Sequence, residues 1–150
     1  MRVIAGTHGG RELIAPRGRA TRPTSDRVRE ALSRGAASAT LVDSAPAAVA
    51  AIRANLSALG VEAEVRRQTA PAFLHSARVS ARQYDLVFLD PPYRHASTLG
   101  RELTSALTPI LSDDARVVAE SDRRAPLGLE MELVDERRYG DTLIQIHAAR

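Results

Sequence analysis

The chain has 150 residues, enough for one domain with a single buried core. Of these, 44% are apolar but only five are aromatic, so the core must be assembled from Val, Leu, Ile and Ala. The net charge is +3. There is no cysteine, which excludes disulfides, cysteine-ligated zinc and thiol catalysis, and no apolar run of ~18 residues to cross a bilayer.

Residues 1–5 and 11–15 read as two short strands turned at His8-Gly9-Gly10, an opening β-hairpin. Residues 16–23 form an Arg-, Gly- and Pro-punctuated connector. A helix follows, with Thr24 as its cap, Asp26 in its first turn, and Val28, Ala31 and Leu32 along it. From Ala39 the pattern becomes alternating strand and helix. Residues 39–42 are a buried strand ending at Asp43. Ser44 is the expected cap of the next helix, which carries Val49, Ile52, Leu56 and Leu59 on one face and stops at Gly60.

Val61, Ala63 and Val65 alternate as in a half-buried strand, and residues 72–77 form a short helix. Asp85-Leu86-Val87-Phe88-Leu89 is the strongest strand signal. Its continuous apolar run predicts a central parallel strand covered on both faces. Leu99, Leu103 and Leu107 line a further helix, and residues 115–119 another strand. Residues 129–138 and 142–147 close the chain as a hairpin about Tyr139-Gly140-Asp141. The order of elements predicts an α/β fold with a mainly parallel, doubly wound sheet and a C-terminal antiparallel hairpin.

Every basic residue is arginine. Codon bias accounts for such an excess as readily as function does, but its distribution is uneven. Residues 2–34 hold eight arginines against Glu12, Asp26 and Glu30, an electrostatic footprint suited to nucleic-acid phosphates. The four histidines are scattered without ligand spacing, so no metal site is expected. Glu120 reads as a solvated strand end. Arg94 and His95 are candidates for phosphate contact, although surface loops are often basic.

Asp90-Pro91-Pro92-Tyr93 follows the central strand directly, at the sheet edge where ligands bind in open α/β folds. Two prolines remove two backbone donors and stiffen the turn, leaving carbonyls to accept. A carboxylate and a proline carbonyl together can accept both hydrogens of an exocyclic amine. Tyr93 offers a face on which an extruded base can stack, worth roughly 1–3 kcal/mol. Fixing an amine in this way is catalysis mainly by positioning. The alternative, a plain turn after a strand, explains an isolated Asp-Pro better than it explains the complete tetrapeptide.

The chain resembles the bacterial methyltransferases of the RsmD type, which act on the N2 amine of one guanine in 16S ribosomal RNA. The resemblance covers nearly the whole chain. It rests on Arg2-Val3-Ile4-Ala5-Gly6, Gly10-Arg11-Glu12-Leu13, and Arg22-Pro23-Thr24-Ser25-Asp26-Arg27-Val28-Arg29-Glu30. It continues through Ser33-Arg34-Gly35-Ala36-Ala37, the Asp90 tetrapeptide and Tyr139-Gly140-Asp141-Thr142. It implies one methyltransferase domain over residues 1–150. Residues 1–24 would be a basic hairpin and connector, and residues 25–150 a Rossmann-like core.

S-adenosylmethionine is the implied cofactor, and ribosomal RNA or the small subunit the implied partner of a cytoplasmic monomer. The implied catalytic residues are Asp90, Pro91, Pro92 and Tyr93. By position, Asp43 matches the acid that holds the cofactor ribose, while a local helix-cap role stays open for it. Arg2, Arg11, Arg22, Arg27 and Arg29 are the candidate RNA contacts. Gln68-Thr69 stands where relatives often have an acid toward the adenine, so that contact is left unassigned.

One departure matters. Relatives carry a first strand, a glycine-rich cofactor loop and a helix between the Arg-Val-Arg-Glu helix and Ser-Arg-Gly-Ala-Ala. Here Glu30-Ala31-Leu32 runs straight into Ser33-Arg34-Gly35, and no Gly-x-Gly occurs anywhere. The gap is the size of a strand–loop–helix piece, roughly 30 residues. A single Glu-Ala-Leu remaining where relatives have two similar segments points to an internal deletion of the first strand. The expected consequence is weak or no binding of S-adenosylmethionine by this chain. Three functions therefore stand: the ribosomal RNA methyltransferase, a catalytically impaired RNA-binding remnant of it, and, less compatible with residues 22–30, a DNA amino-methyltransferase.

Overall fold

The computed structural model describes residues 36–90 and 96–149, which fall into two compact units divided between Phe73 and Leu74. The expected N-terminal hairpin and the helix after Thr24 lie outside the described residues.

The first unit is a βαβ motif. Strand β1 (Thr40–Asp43) leads to helix α1 (Pro46–Leu59) and then to β2 (Glu64–Arg67), which pairs parallel with β1 from Thr40↔Glu64 to Asp43↔Arg67. A parallel pair needs such a crossover, and the apolar face of α1 supplies its cover. Leu41, Ile52 and Leu56 form the core there, with Ala39, Val61, Ala63 and Val65 packed against it. Val49 and Leu59 are buried too, as their spacing predicts. Gly60 ends α1 in the left-handed region at φ 63°, its N–H reaching the carbonyls of Leu56 and Ser57.

The helix start differs from expectation. Its N-cap is Ala45 with Pro46 in the first turn, and no side chain caps from that position. Just ahead of the helix Asp43 Oδ1 accepts the N–H of Ala45 itself at 2.7 Å. Pro46 needs no N–H partner, so the first turn can dispense with a hydroxyl.

Helix α2 (Ala70–Val79) crosses the division between the units, burying Leu74 and Ala77. In the second unit β3 (Tyr84–Leu89) is followed by α3 (Ala96–Leu107), a 3-10 turn (Thr108–Ile110) and β4 (Leu111–Asp122). Strands β5 (Leu133–Tyr139) and β6 (Thr142–Ala148) form the C-terminal hairpin across a two-residue loop opened by Gly140 at φ 62°. The sheet order is β3-β4-β6-β5, with β3 parallel to β4 and the other pairs antiparallel. Leu107, Ile110, Ala115, Val117, Ala119 and Leu127 are almost wholly buried in this unit. The predicted strand at 115–119 extends in both directions to 12 residues, because β6 pairs along its C-terminal half from Arg116 to Asp122.

Helix α3 rests closely on the segment that follows β4. A Cβ placed on Gly100 would stand 2.2 Å from the carbonyl oxygen of Gly128 and 2.3 Å from that of Leu127. Thr104 Oγ1 accepts the Glu130 N–H at 2.9 Å and donates to the Gly100 carbonyl, tying helix and segment together.

The mixed sheet, with parallel strands first and an antiparallel hairpin last, is the predicted class. The place of β3 within it is not. Among the described residues β3 pairs on one side only, with β4, and β1 pairs only with β2. No residue of β3 is fully buried, and Leu86 is 44% exposed. Among the described residues, a sequence suited to a central strand thus stands at a sheet edge. Among the described residues no helix is long and apolar enough to cross a membrane.

Candidate active site at the carboxyl ends of the strands

Asp90 leaves the carboxyl end of β3. Leu89 lies opposite Ala119 in the parallel register, so the chain exits at the level of the β4 residues that follow Ala119. Asp90 is exposed at this edge and engaged in a polar or electrostatic contact. Pro91, Pro92 and Tyr93 lie outside the described residues, as do Arg94 and His95. Arg2, Arg11, Arg22, Arg27 and Arg29 also lie outside them.

Asp43 occupies the carboxyl end of β1, in the other unit. Its Oδ1 holds the Ala45 N–H, and its carbonyl accepts the Gln68 N–H at 3.1 Å. The carboxylate is half-buried and locked to the start of α1, an arrangement that orients it whatever else it contacts. Thr69 has a local task as well, its Oγ1 accepting the Ala72 N–H at 3.4 Å near the start of α2. The cross-strand Thr40 hydroxyl donates to Glu64 Oε2 at 3.0 Å, and Arg66 pairs with the same carboxylate.

Glu120 corrects the sequence reading. It is 1% exposed, not a solvated strand end, and it too is engaged by a partner. It stands near the carboxyl end of β4 opposite Ile144 of β6. A carboxylate this deep is costly unless its charge or hydrogen bonds are met. The apolar residues before it carried the only signal: Val117-Val118-Ala119 continues directly into the acid, where a solvated end would show a turn residue.

Sequence reasoning also missed a groove of about 430 Å³ at the same end of the sheet, lined by Arg123, Arg124, Pro126, Glu136, Arg138 and Gln145, among others. Asp141 Oδ1 stands 3.4 Å from Arg123 Nε and 3.5 Å from Arg124 Nη2. Arg138 Nη2 meets Glu136 Oε1 at 2.7 Å, and Gln145 Nε2 donates to Glu136 Oε2 at 3.2 Å. These guanidinium groups are largely neutralised by their neighbours, and as exposed pairs each contributes little to stability. The turn itself is firm: Arg123 N–H bonds the Asp141 carbonyl at 2.9 Å, and Arg124 N–H bonds Asp122 Oδ1 at 2.8 Å.

What is absent is as informative. Among the described residues the glycines with positive φ are Gly60, Gly128 and Gly140. Gly60 ends a helix, Gly140 opens the hairpin turn and Gly128 lies beyond the β4 turn, so none forms a loop from a parallel strand into a helix. The backbone N–H cradle of a dinucleotide-type site needs such a loop. Among the described residues there is also no group of three or more acidic and His side chains gathered as for a metal ion.

Comparison with known proteins places this architecture. The family model described as conserved hypothetical protein 95 matches in two pieces, residues 1–32 and 29–148. The chain is 32% identical to YlbH of Bacillus subtilis, described as a candidate rRNA methyltransferase, over 188 aligned positions covering all of both chains. It superposes with TM-score 0.79 and 25% identity on yhhF of Escherichia coli, a candidate methyltransferase, across 100% of this chain and 99% of that one. A candidate S-adenosylmethionine-dependent methyltransferase of Streptococcus mutans shares the fold alone, at TM-score 0.67 and 17% identity, over 83% of this chain and 42% of its own. The matched residues span almost the whole chain, and it belongs to the conserved hypothetical protein 95 family, the family of RsmD-type methyltransferases.

Proposed function

We propose that the fold carried by this chain is that of an S-adenosylmethionine-dependent methyltransferase acting on the exocyclic N2 amine of a guanine in 16S ribosomal RNA. The observation that carries the reading is Asp90 at the carboxyl end of β3, followed by Pro91-Pro92-Tyr93, in a chain of this family. The relative described as a candidate rRNA methyltransferase supports an RNA substrate, and the Streptococcus mutans neighbour supports the donor. In this reading residues 1–150 are one methyltransferase domain of a cytoplasmic monomer whose partner is ribosomal RNA or the small subunit.

Each residue has a task in that reading. The Asp90 carboxylate and the Pro91 carbonyl accept the two hydrogens of the guanine amine, fixing the nitrogen in one orientation. Tyr93 stacks on the extruded base. Arg2, Arg11, Arg22, Arg27 and Arg29 hold phosphates, which position the RNA without reading its sequence. Asp43 is the candidate for the ribose hydroxyls of the donor.

The donor itself does not fit the residues present. Neither the described backbone nor the sequence offers a glycine loop at a strand end, and Asp43 alone cannot hold a nucleoside. The 150-residue chain is thus the acceptor side of the enzyme, as the remnant reading has it. Restoring the corresponding YlbH segment at residues 29–32 and offering unmethylated 30S subunits tests the function. Nucleoside digestion should yield N2-methylguanosine. Methylated adenosine or cytidine in its place would sink the guanine reading.

A further inference from the structure

Two parallel units wind through this chain, β1 to β2 by α1 and β3 to β4 by α3. In doubly wound sheets the ligand crevice is built where the winding changes direction, by the loop that follows the first strand. Among the described residues β1 and β3 each stand at the end of their own sheet.

Three independent observations converge there. The two pieces matched by the family model overlap at Arg29-Glu30-Ala31-Leu32, so both sides of a family segment end on the same four residues. The alignment with YlbH runs over 188 positions whereas this chain has 150 residues, so at least 38 positions have no counterpart here. One strand, one loop and one helix need about that length. Finally, β3 has the continuous apolar run of a strand covered on both faces, yet none of its residues is fully buried and Leu86 is 44% exposed.

We infer that this chain has lost a strand–loop–helix segment before β1, that the open edge of β3 is the seat of the lost strand, and that the donor site went with the segment. The last part rests on the donor reading proposed above. The edge of β3, which no described strand pairs and which bears Val87, Phe88 and Leu89, accepts one kind of occupant well: another apolar parallel strand, with its helix to cover Leu86. The positions of YlbH without a counterpart here are numerous enough to supply it.

Two measurements test the inference. Calorimetric titration of S-adenosylhomocysteine and of S-adenosylmethionine into the 150-residue chain should give no saturable heat. The chain carrying the YlbH segment should bind at least about 100-fold more tightly than any residual affinity of the original. Amide hydrogen exchange supplies the structural readout. Protection of residues 86–89 should rise in the restored chain, because the backbone on the side of β3 away from β4 gains a pairing strand. Low-micromolar binding by the 150-residue chain, or unchanged protection of β3 after restoration, overturns the inference. Raised protection without donor binding confirms the seat of the strand and overturns the donor reading instead.

Discussion

Leu89, the last residue of β3, lies level with Ala119 of β4 in a parallel register that runs unbroken from Leu86↔Arg116. That register delivers Asp90 to the carboxyl edge beside the segment of β4 that holds the buried Glu120. The exit is set by strand pairing and not by the loop after it, so the Asp90 backbone is placed by a rigid element. Positions set by strands are more precise than positions set by loops.

Asp90→Ala in the segment-restored chain should lower kcat for methyl transfer by about 100-fold or more. Donor affinity by calorimetry should stay unchanged, because Asp90 acts on the amine. A parallel loss of donor binding would assign Asp90 to the wrong half of the site.

Leu86→Ala should behave differently in the two chains. In the 150-residue chain, where the side chain is 44% exposed, the cost by chemical denaturation should be under about 1 kcal/mol. Once a helix and strand cover it, the same truncation should cost about 2–5 kcal/mol. Equal costs would mean that the restored segment does not sit on β3.

Gly100→Ala should destabilise the protein although alanine is the better helix former. The new methyl group meets two carbonyl oxygens at 2.2 and 2.3 Å, and these belong to backbone that cannot rotate away. Overpacking of this kind costs about 1–3 kcal/mol, against roughly 1 kcal/mol of helix propensity gained. A lowered midpoint in thermal melting checks it, and a raised midpoint would show that α3 can slide off Gly128.

Replacing Arg27 and Arg29 with alanine should weaken binding to 16S ribosomal RNA at every sequence tested. The slope of log affinity against log salt should fall by about 1.4, or ~0.7 per lost phosphate contact on single-stranded RNA. Filter binding across a salt series measures both. An unchanged slope would remove these arginines from the RNA interface.

Local structure was readable wherever a short-range rule governs it. The spacing of Val49, Ile52, Leu56 and Leu59 with Gly60 gave α1 its face and its end, since helix burial follows a 3.6-residue period. Gly140-Asp141 between two strands placed the hairpin. Of the motif at Asp90, the position of Asp90 at the carboxyl end of β3 was readable, because the apolar run before it marks the strand.

What eluded the sequence depends on residues far apart in the chain. The N-cap falls on Ala45 and not on Ser44, with the Asp43 carboxylate holding the Ala45 N–H. Glu120 looked solvated because its burial depends on residues far along the chain, and its one local sign is the apolar run before it. The edge position of β3 among the described residues was not legible, because an apolar run describes what a strand is suited to bury and not what is present to bury it. The groove at Arg123, Arg124 and Arg138 is assembled from the turn after β4 and from residues of β5 and β6, which strand pairing brings together and no spacing announces.

The most direct test of this account is methyl transfer by the 150-residue chain itself. Labelled S-adenosylmethionine would be incubated with unmethylated 30S subunits and the chain, beside the segment-restored form as a positive control. The account predicts label in guanosine of 16S ribosomal RNA from the restored form and none above background from the 150-residue chain. Incorporation by the 150-residue chain would contradict it, showing that a donor site exists without the segment.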